Sequence, residues 1–443
     1  MRLGCFFIIF FLLSLSTSFA QSLNESELKK EALKSFENED YGSAYKLYSQ
    51  LVSLYPKDPD YNFHIGVCML YTEPDKKKPF SYLKLAASSA KDSPKESKFY
   101  LAKTYHINYQ FDEAIKLYND FKQIGSSSSI KRLEVDREIE ACKNGKRLLS
   151  SLTDLVVVNK KQLNKADYFR SYDVKNIGGK LLVKPEDYIS SIDKKKKESS
   201  VIYLSSQGDF IYYSSYGESG STGKDIYVVT KLENGTWTKP QMLPTTINTN
   251  FDEDFPFLHP NGKTLYFASK GHNSMGGYDI FKSDFDDENQ TWSKPINLEF
   301  PINSPDDDIL FVTDSLEQQA FFSTSRYSPF GKIDVLKINT DRRQIDIAFI
   351  SGKVSKEDPE QSLKSKVTIK ENETGKLIGV FQAKDNGNYS IELQNGVNYL
   401  FTVETPGMDI QSQEIQIPAA QSLKPYNQEI TYSDKKIKNH KLF

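Results

Sequence analysis

The sequence predicts a multidomain α plus all-β chain, with helical repeats first and β domains after them. Three observations predict it. Aromatic and small residues recur at helical spacing over 24–125, with a period near 35 residues. Strand, turn and Asp-aliphatic motifs recur at spacings of 54 and 55 residues between 201 and 345. From 349 to 418 the pattern changes to alternating strands. At 443 residues the chain can hold about three domains, each with its own core.

The first 20 residues have a leader's layout: Arg2, an apolar run from Phe6 to Leu15, then Ser18-Phe19-Ala20 as the cleavage site. The mature chain is expected to begin at Gln21 and to be exported. Cys5 lies ahead of the apolar run, so it is not placed as a lipoprotein cysteine. No later segment has the length and apolarity of a span. A formal charge of −2 gives no electrostatic case for nucleic acid or an anionic membrane surface.

Residues 21–150 are expected to form paired helices resembling tetratricopeptide repeats (TPRs). Tyr41, Ala44, Tyr48 and Leu51 are echoed 70 residues later by Phe111, Ala114, Tyr118 and Phe121. In the middle copy, Pro79 falls where a small helical residue is expected. The serines 126–129 are predicted as a loop, and Ile130 to Leu149 as one charged capping helix. Tyr61, Tyr105 and Tyr109 sit on helices but off the packing pattern. They are candidate partner contacts, with completion of the core as the alternative reading. Cys68 and Cys142 could form a disulfide or be two buried thiols.

Residues 151–346 are expected to form a β-propeller, with three clear repeats near 201–250, 251–304 and 305–345. The central run is HPNGKTLYFASKGHNSMGGYDIF at 259–281. Its turn at Pro260-Asn261-Gly262 precedes an aromatic strand, a glycine-bearing loop and a second strand. Tyr213, Phe267 and Phe322 align across the repeats, as do Asp225, Asp279 and Asp334. Trp237 aligns with Trp292, and Ile247-Asn248 with Ile302-Asn303. Residues required once per repeat are read as structural. The acidic runs 252–254 and 306–308 could bind calcium, or could accept turn N–H groups and link one repeat to the next. Residues 150–200 are expected to supply a degenerate blade or the ring's closing strands, with Lys194 to Lys197 as a solvated loop.

These repeats resemble the TolB-like, WD40-like propeller repeats of Bacteroidetes cell-envelope proteins; the run 252–281 carries the likeness. The domain order is similar to that of the OmpA-family components of type IX secretion. The resemblance implies that 347–418 is a carboxypeptidase-regulatory-like, transthyretin-like β-sandwich. It also implies an outer-membrane or periplasmic protein partner. The resemblance stops short of an OmpA-type domain, so peptidoglycan binding in that manner is not expected. Residues 419–443 are expected to be a polar tail.

The sequence offers no GxSxG or HExxH motif, no phosphate-binding glycine loop and no metal spacing. The surface-presenting domain types, with the envelope context that the resemblance implies, lead to the expectation of a non-enzymatic periplasmic scaffold; no cofactor is expected. The alternative is a glycan or small-ligand binding module using Tyr216, His272, Tyr278 and Tyr327.

Overall fold

The structure is a computed structural model. It describes residues 24–88, 93–149, 153–174, 177–198, 201–220, 222–344, 347–356, 365–383, 387–394, 396–417 and 426–432. The expected leader and Lys384 to Asn386 lie outside them. Helices come first and antiparallel sheets follow. Two compact bodies divide the chain: one holds residues up to 72 with 79–94, the other 73–78 and everything from 95 onward.

The first body contains α1 (Glu25–Glu37), α2 (Tyr41–Leu54), α3 (Pro59–Thr72) and α4 (Pro79–Ser88). Asn24 and Asp40 cap the first two helices by accepting the N–H groups of Glu27 and Ser43. Ala32 and Ala44 are fully buried, and Tyr48, Leu51 and Tyr61 fill the core beside them. Gly66 permits the α3–α4 contact, because a Cβ there would meet Leu83 Cγ at 2.6 Å. Pro79 opens α4 instead of occupying a helix interior, so its missing N–H breaks no helical bond.

The second body begins its helices with α5 (Ser97–Ile107) and α6 (Phe111–Ile124). Phe111, Ala114, Tyr118 and Phe121 are buried on α6, as the 70-residue echo predicts. The serine run is not a loop. Ser126 accepts the Ser129 N–H and caps the short helix α7 (Ser127–Arg132). The single capping helix is interrupted as well, because Glu134 adopts a left-handed φ of 48° before α8 (Val135–Leu148). Cys68 and Cys142 are free, buried thiols.

The three sequence repeats become three antiparallel sheets. The strand β1 (Thr153–Asn164) precedes them. β2 (Lys180–Val183), β3 (Val201–Leu204), β4 (Phe210–Ser215), β5 (Asp225–Thr230) and β6 (Gln241–Met242) form the first sheet in that order. The second contains β7 (Glu253–Leu258), β8 (Thr264–Ser269), β9 (Asp279–Asp286), β10 (Thr291–Trp292) and β11 (Ile296–Asn297). The third contains β12 (Asp308–Thr313), β13 (Gln319–Thr324) and β14 (Lys332–Gln344), with β1 paired antiparallel to β14. Residues 153–204 thus build no separate sheet among the described residues. They complete the outer edge of the third sheet and the first sheet beside β3. The lysine run is helical: α9 (Ser191–Lys196) starts with a reciprocal Ser190–Asp193 capping box. Buried Asp193 also accepts Lys184 Nζ at 2.9 Å and the Tyr216 N–H at 2.9 Å.

One apolar core runs through all three sheets, from Tyr203 and Ile226 through Phe257, Phe267 and Phe281 to Phe311 and Phe322. The Ile-Asn repeats have a specific task. Asn303 accepts the Ile280 N–H at 2.7 Å and donates to the Ile280 carbonyl at 2.8 Å. Asn248 does the same to Ile226 at 2.8 and 3.1 Å. Each amide adds to the N–H of Leu298 or Leu243, which donates to the same Ile carbonyl. Asn303→Ala is expected to lower stability by about 1–3 kcal/mol, because the buried Ile280 N–H loses its acceptor while the Ile280 carbonyl keeps the Leu298 N–H alone. Urea denaturation checks this, and an unchanged midpoint would contradict it.

The C-terminal strands are β15 (Ile347–Lys356), β16 (Lys366–Glu371), β17 (Leu377–Gln382), β18 (Asn388–Gln394), β19 (Asn398–Glu404), β20 (Gln411–Gln416) and β21 (Tyr426–Tyr432). They form one sheet ordered β18-β15-β21 and another ordered β17-β16-β19-β20. Ile350, Val354 and Ile391 of the first share a core with Val367, Ile369 and Phe401 of the second. Within the expected tail, 426–432 is a strand pairing parallel with β15.

Candidate functional site

The acidic runs are inter-sheet connectors. Asp252 Oδ1 accepts the Lys224 N–H at 3.1 Å, while the Glu253 N–H donates to the Lys224 carbonyl at 2.7 Å. One repeat later, Asp307 Oδ1 accepts the Tyr278 N–H at 3.1 Å, and the Asp308 N–H donates to the Tyr278 carbonyl at 2.7 Å. Buried Lys224 also bridges Asp254 and Glu198, at 2.7 and 2.6 Å. Arg326 donates to Asp308 at 3.1 Å. Burial still pushes the carboxyls of Glu253 and Asp308 up, to about 7 and about 6.

The Asp residues repeated before each outer strand are buried too, but they do not link sheets uniformly. Asp279 accepts from Ser274 Oγ, the Met275 N–H and Asn297 Nδ2, at 3.1, 3.0 and 2.7 Å. All three donors belong to its own repeat, so Asp279 holds the 271–278 loop down on its own sheet. Asp225 accepts from Thr222 Oγ1 at 2.6 Å. Asp334 takes Gln162 Nε2 at 3.2 Å and lies 2.8 Å from Lys160 Nζ, both on β1. Trp292 packs edge-on against Phe285, and Trp237 lies against the buried residues of the first sheet.

The loop held by Asp279 is also where the helices attach. Asn144 Nδ2 donates to the Ser274 carbonyl at 3.0 Å. His106 Nε2 lies 2.7 Å from the Met275 carbonyl, and Arg137 donates to the Gly276 carbonyl at 2.7 Å. Three side chains from α5 and α8 thus take three consecutive carbonyls. Glu138, buried beneath them, organises the grip. Lys103 Nζ donates to both of its oxygens at 2.8 Å, and Arg137 donates to Oε1 at 2.7 Å. His106 Nδ1 lies 3.2 Å from Oε2. Burial raises the Glu138 carboxyl, but Lys103 and Arg137 outweigh it and hold it well below the usual range. Gly276 is required by close approach, since a Cβ there would collide with the Pro305 backbone.

The candidate contact residues differ in their surroundings. Tyr61 is a core residue whose hydroxyl donates to Glu25 at 2.8 Å. Tyr105 is half-buried against the core of α5, α6 and α8. Tyr109 is half-buried, and its ring meets Phe300 edge-on at 6.0 Å. Tyr216 is buried, with Lys196 Nζ 3.5 Å from its ring centroid. His272 packs against Phe267 and Phe281, with Nε2 2.9 Å from the Ile247 carbonyl. Tyr327 is 61% exposed. Tyr216 and Tyr278 thus lie near one another and share Asp252 and Asp254 as neighbours, whereas His272 is held by ring packing and a backbone hydrogen bond.

Tyr278 borders a cavity. It has a volume of about 220 Å³ and is walled by all three sheets. Val201 comes from the first, Phe255 from the second, and Ile309 and Ile333 from the third. Tyr168 and Phe169 close another side. The sequence pattern gave no sign of this space, because its walls come from segments far apart in the chain. Phe255 and Leu310 occupy equivalent positions in β7 and β12, with φ of 54° and 51°, and the register shifts at both. Such bulges turn neighbouring side chains to a new face.

No family pattern and no curated protein matches the chain. Solved structures give faint likenesses. S.CueP is 13% identical over 27% of this chain and 72% of its own, with a TM-score of 0.16. The extracellular domain of a B. thetaiotaomicron hybrid two component system is 10% identical, with a TM-score of 0.19. That alignment covers 49% of this chain and 32% of the other. Kuenenia stuttgartiensis hydrazine synthase is 8% identical over 63% and 58%, with a TM-score of 0.17. No helix among the described residues is long and apolar enough to cross a membrane.

Proposed function

We propose that this chain is a non-enzymatic periplasmic scaffold associated with the outer membrane, serving type IX secretion or related envelope assembly. In this reading the helices are TPR-like, the three repeat sheets are blades of a TolB-like propeller, and the C-terminal sheets are a carboxypeptidase-regulatory-like sandwich. The observation that carries the scaffold role is the joint at 274–276. Three consecutive carbonyls are gripped by side chains organised around a buried carboxylate. Such a joint makes α5–α8 and the sheets present their surfaces in a fixed geometry, as assembly of a partner requires. Partner attachment through the helices follows from the concave faces that helical repeats offer.

Photo-crosslinking in the native organism tests this, with the reactive side chain at Leu54 of α2 or at Tyr327, both exposed. Crosslinks from Leu54 to an outer-membrane protein are expected. Crosslinks from Tyr327 alone would move the contact to the sheets. Absence of any envelope-protein crosslink from both positions would overturn the reading.

A further inference from the structure

We propose that His106 is a proton-operated latch on the joint at 274–276. With both ring nitrogens protonated it ties Glu138 of α8 to the Met275 carbonyl, and loss of one ring proton releases that tie. This concerns the joint itself and stands whether or not the scaffold reading holds.

A hydrogen count carries it. His106 is fully buried, and each ring nitrogen faces an acceptor. Nε2 lies 2.7 Å from the Met275 carbonyl, and Nδ1 lies 3.2 Å from Glu138 Oε2. A carbonyl oxygen only accepts, and so does an ionised carboxylate. Glu138 is ionised, because Lys103 and Arg137 hold its carboxyl well below the usual range against the cost of burial. A neutral imidazole has one N–H and would leave its other nitrogen with a lone pair against an oxygen. The imidazolium donates to both. Tyr118 bears on the count, since its hydroxyl lies 3.3 Å from Glu138 Oε2 and 3.5 Å from His106 Nδ1. Its single hydrogen goes to the nearer and charged oxygen. Were it given to Nδ1 instead, Nδ1 and Oε2 would stand 3.2 Å apart with no hydrogen between them.

Every packed element brings charged or titratable groups to this ring. On α5 there is Lys103, which donates to both Glu138 oxygens at 2.8 Å. On α6 there is Tyr118, whose hydroxyl burial raises well above its ordinary range. On α8 there are Glu138, Arg137 and the Cys142 thiol. Burial pushes that thiol up, and Glu138 and Glu134 together raise the Arg137 guanidinium despite burial. On the sheet side, Asp279 accepts the Met275 N–H, and Asp306 is within electrostatic reach of Lys103. Burial raises both of these carboxyls, that of Asp279 to about 8, so their titration must be separated from that of His106. Histidine is the side chain suited to change charge between about pH 5 and 8. Because the ring is fully buried, its proton reaches water only when the joint opens, so deprotonation and loosening are coupled.

Ring-nitrogen NMR on the full mature chain, labelled at histidine, tests the latch alongside hydrogen exchange at the amides of 274–277. The His106 signals are identified by their loss in His106→Gln. Two protonated ring nitrogens are expected at about pH 5. Once the intrinsic pH dependence of exchange is removed, opening of 274–277 is expected to rise about tenfold as the ring loses a proton, the worth of one hydrogen bond. The two changes should share a midpoint. His106→Gln, which cannot take up the proton, is expected to abolish the rise, whereas Asp279→Asn and Asp306→Asn are expected to keep it. A His106 ring that is neutral at about pH 5 would overturn the proposal. So would separate midpoints, a rise that survives in His106→Gln, or a rise that vanishes in either aspartate variant. Wild-type midpoints and the aspartate variants decide the matter even should His106→Gln fail to fold.

Discussion

Glu138→Ala will destabilise the body containing α5–α8 and the repeat sheets by on the order of 3–5 kcal/mol. The carboxylate is buried, and Lys103, Arg137 and His106 all converge on it. Removing it leaves positive charge packed together under low exposure, the costly half of a broken buried ion pair. The effect will also be directional. Arg137 and His106 are aligned on the Gly276 and Met275 carbonyls by the same carboxylate, so the joint itself should loosen. Urea denaturation reads the first consequence. Faster hydrogen exchange at the amides of 274–277 reads the second. Glu138→Gln keeps the shape and loses the charge, so it should fall between wild type and alanine. An unchanged midpoint together with unchanged exchange would show that the joint rests on other contacts.

Stability will fall as pH rises from about 5 to about 8, by on the order of 2–4 kcal/mol, with Asp279 as a main source. Burial raises its carboxyl to about 8, against the opposing donors from Asn297, Met275 and Ser274. The hydrogen bonds agree with a proton there. Ser274 has one hydroxyl hydrogen and two acceptors in reach, the Gly277 carbonyl at 3.0 Å and Asp279 Oδ1 at 3.1 Å. A protonated Asp279 can donate to Ser274, which then donates to Gly277, leaving every group satisfied. The folded state thus holds a proton that the unfolded chain releases near 3.8. The stabilisation is complete below that value and is lost as pH climbs through about 8. Glu253 and Asp308, also raised, act with the same sign. Asp279→Asn should flatten the slope, and Asp279→Ala should cost about 1–3 kcal/mol near pH 5 and less towards pH 8, where wild type has itself lost this contribution. Melting temperatures across that window provide the check. A slope that is equal in wild type and Asp279→Asn would remove Asp279 as its source.

The sequence alone determined the order of helices before strands, the repeat period and much of the core. Phe111, Ala114, Tyr118 and Phe121 echo the first helices because helix packing demands small and large side chains at fixed spacings, and the structure buries all four. Tyr213, Phe267 and Phe322 mark equivalent strands because each sheet needs the same buried position filled. The acidic runs could be read as connectors between repeats, since they recur once in each and N–H groups need acceptors. Other elements depended on partners too distant for any local pattern to show. The lysine run is helical because Asp193 is held by Lys184 and the Tyr216 N–H. Residues 426–432 form a strand because β15 has an open edge. Asp279 serves its own loop because Asn297 and Met275 come back to it through β11 and the glycine turn. The joint at 274–276 brings α5 and α8 onto a loop more than a hundred residues away in sequence. The cavity needs walls from three sheets at once. Periodicity records what each segment must bury, whereas only the folded chain decides which distant groups meet and which are left without a partner.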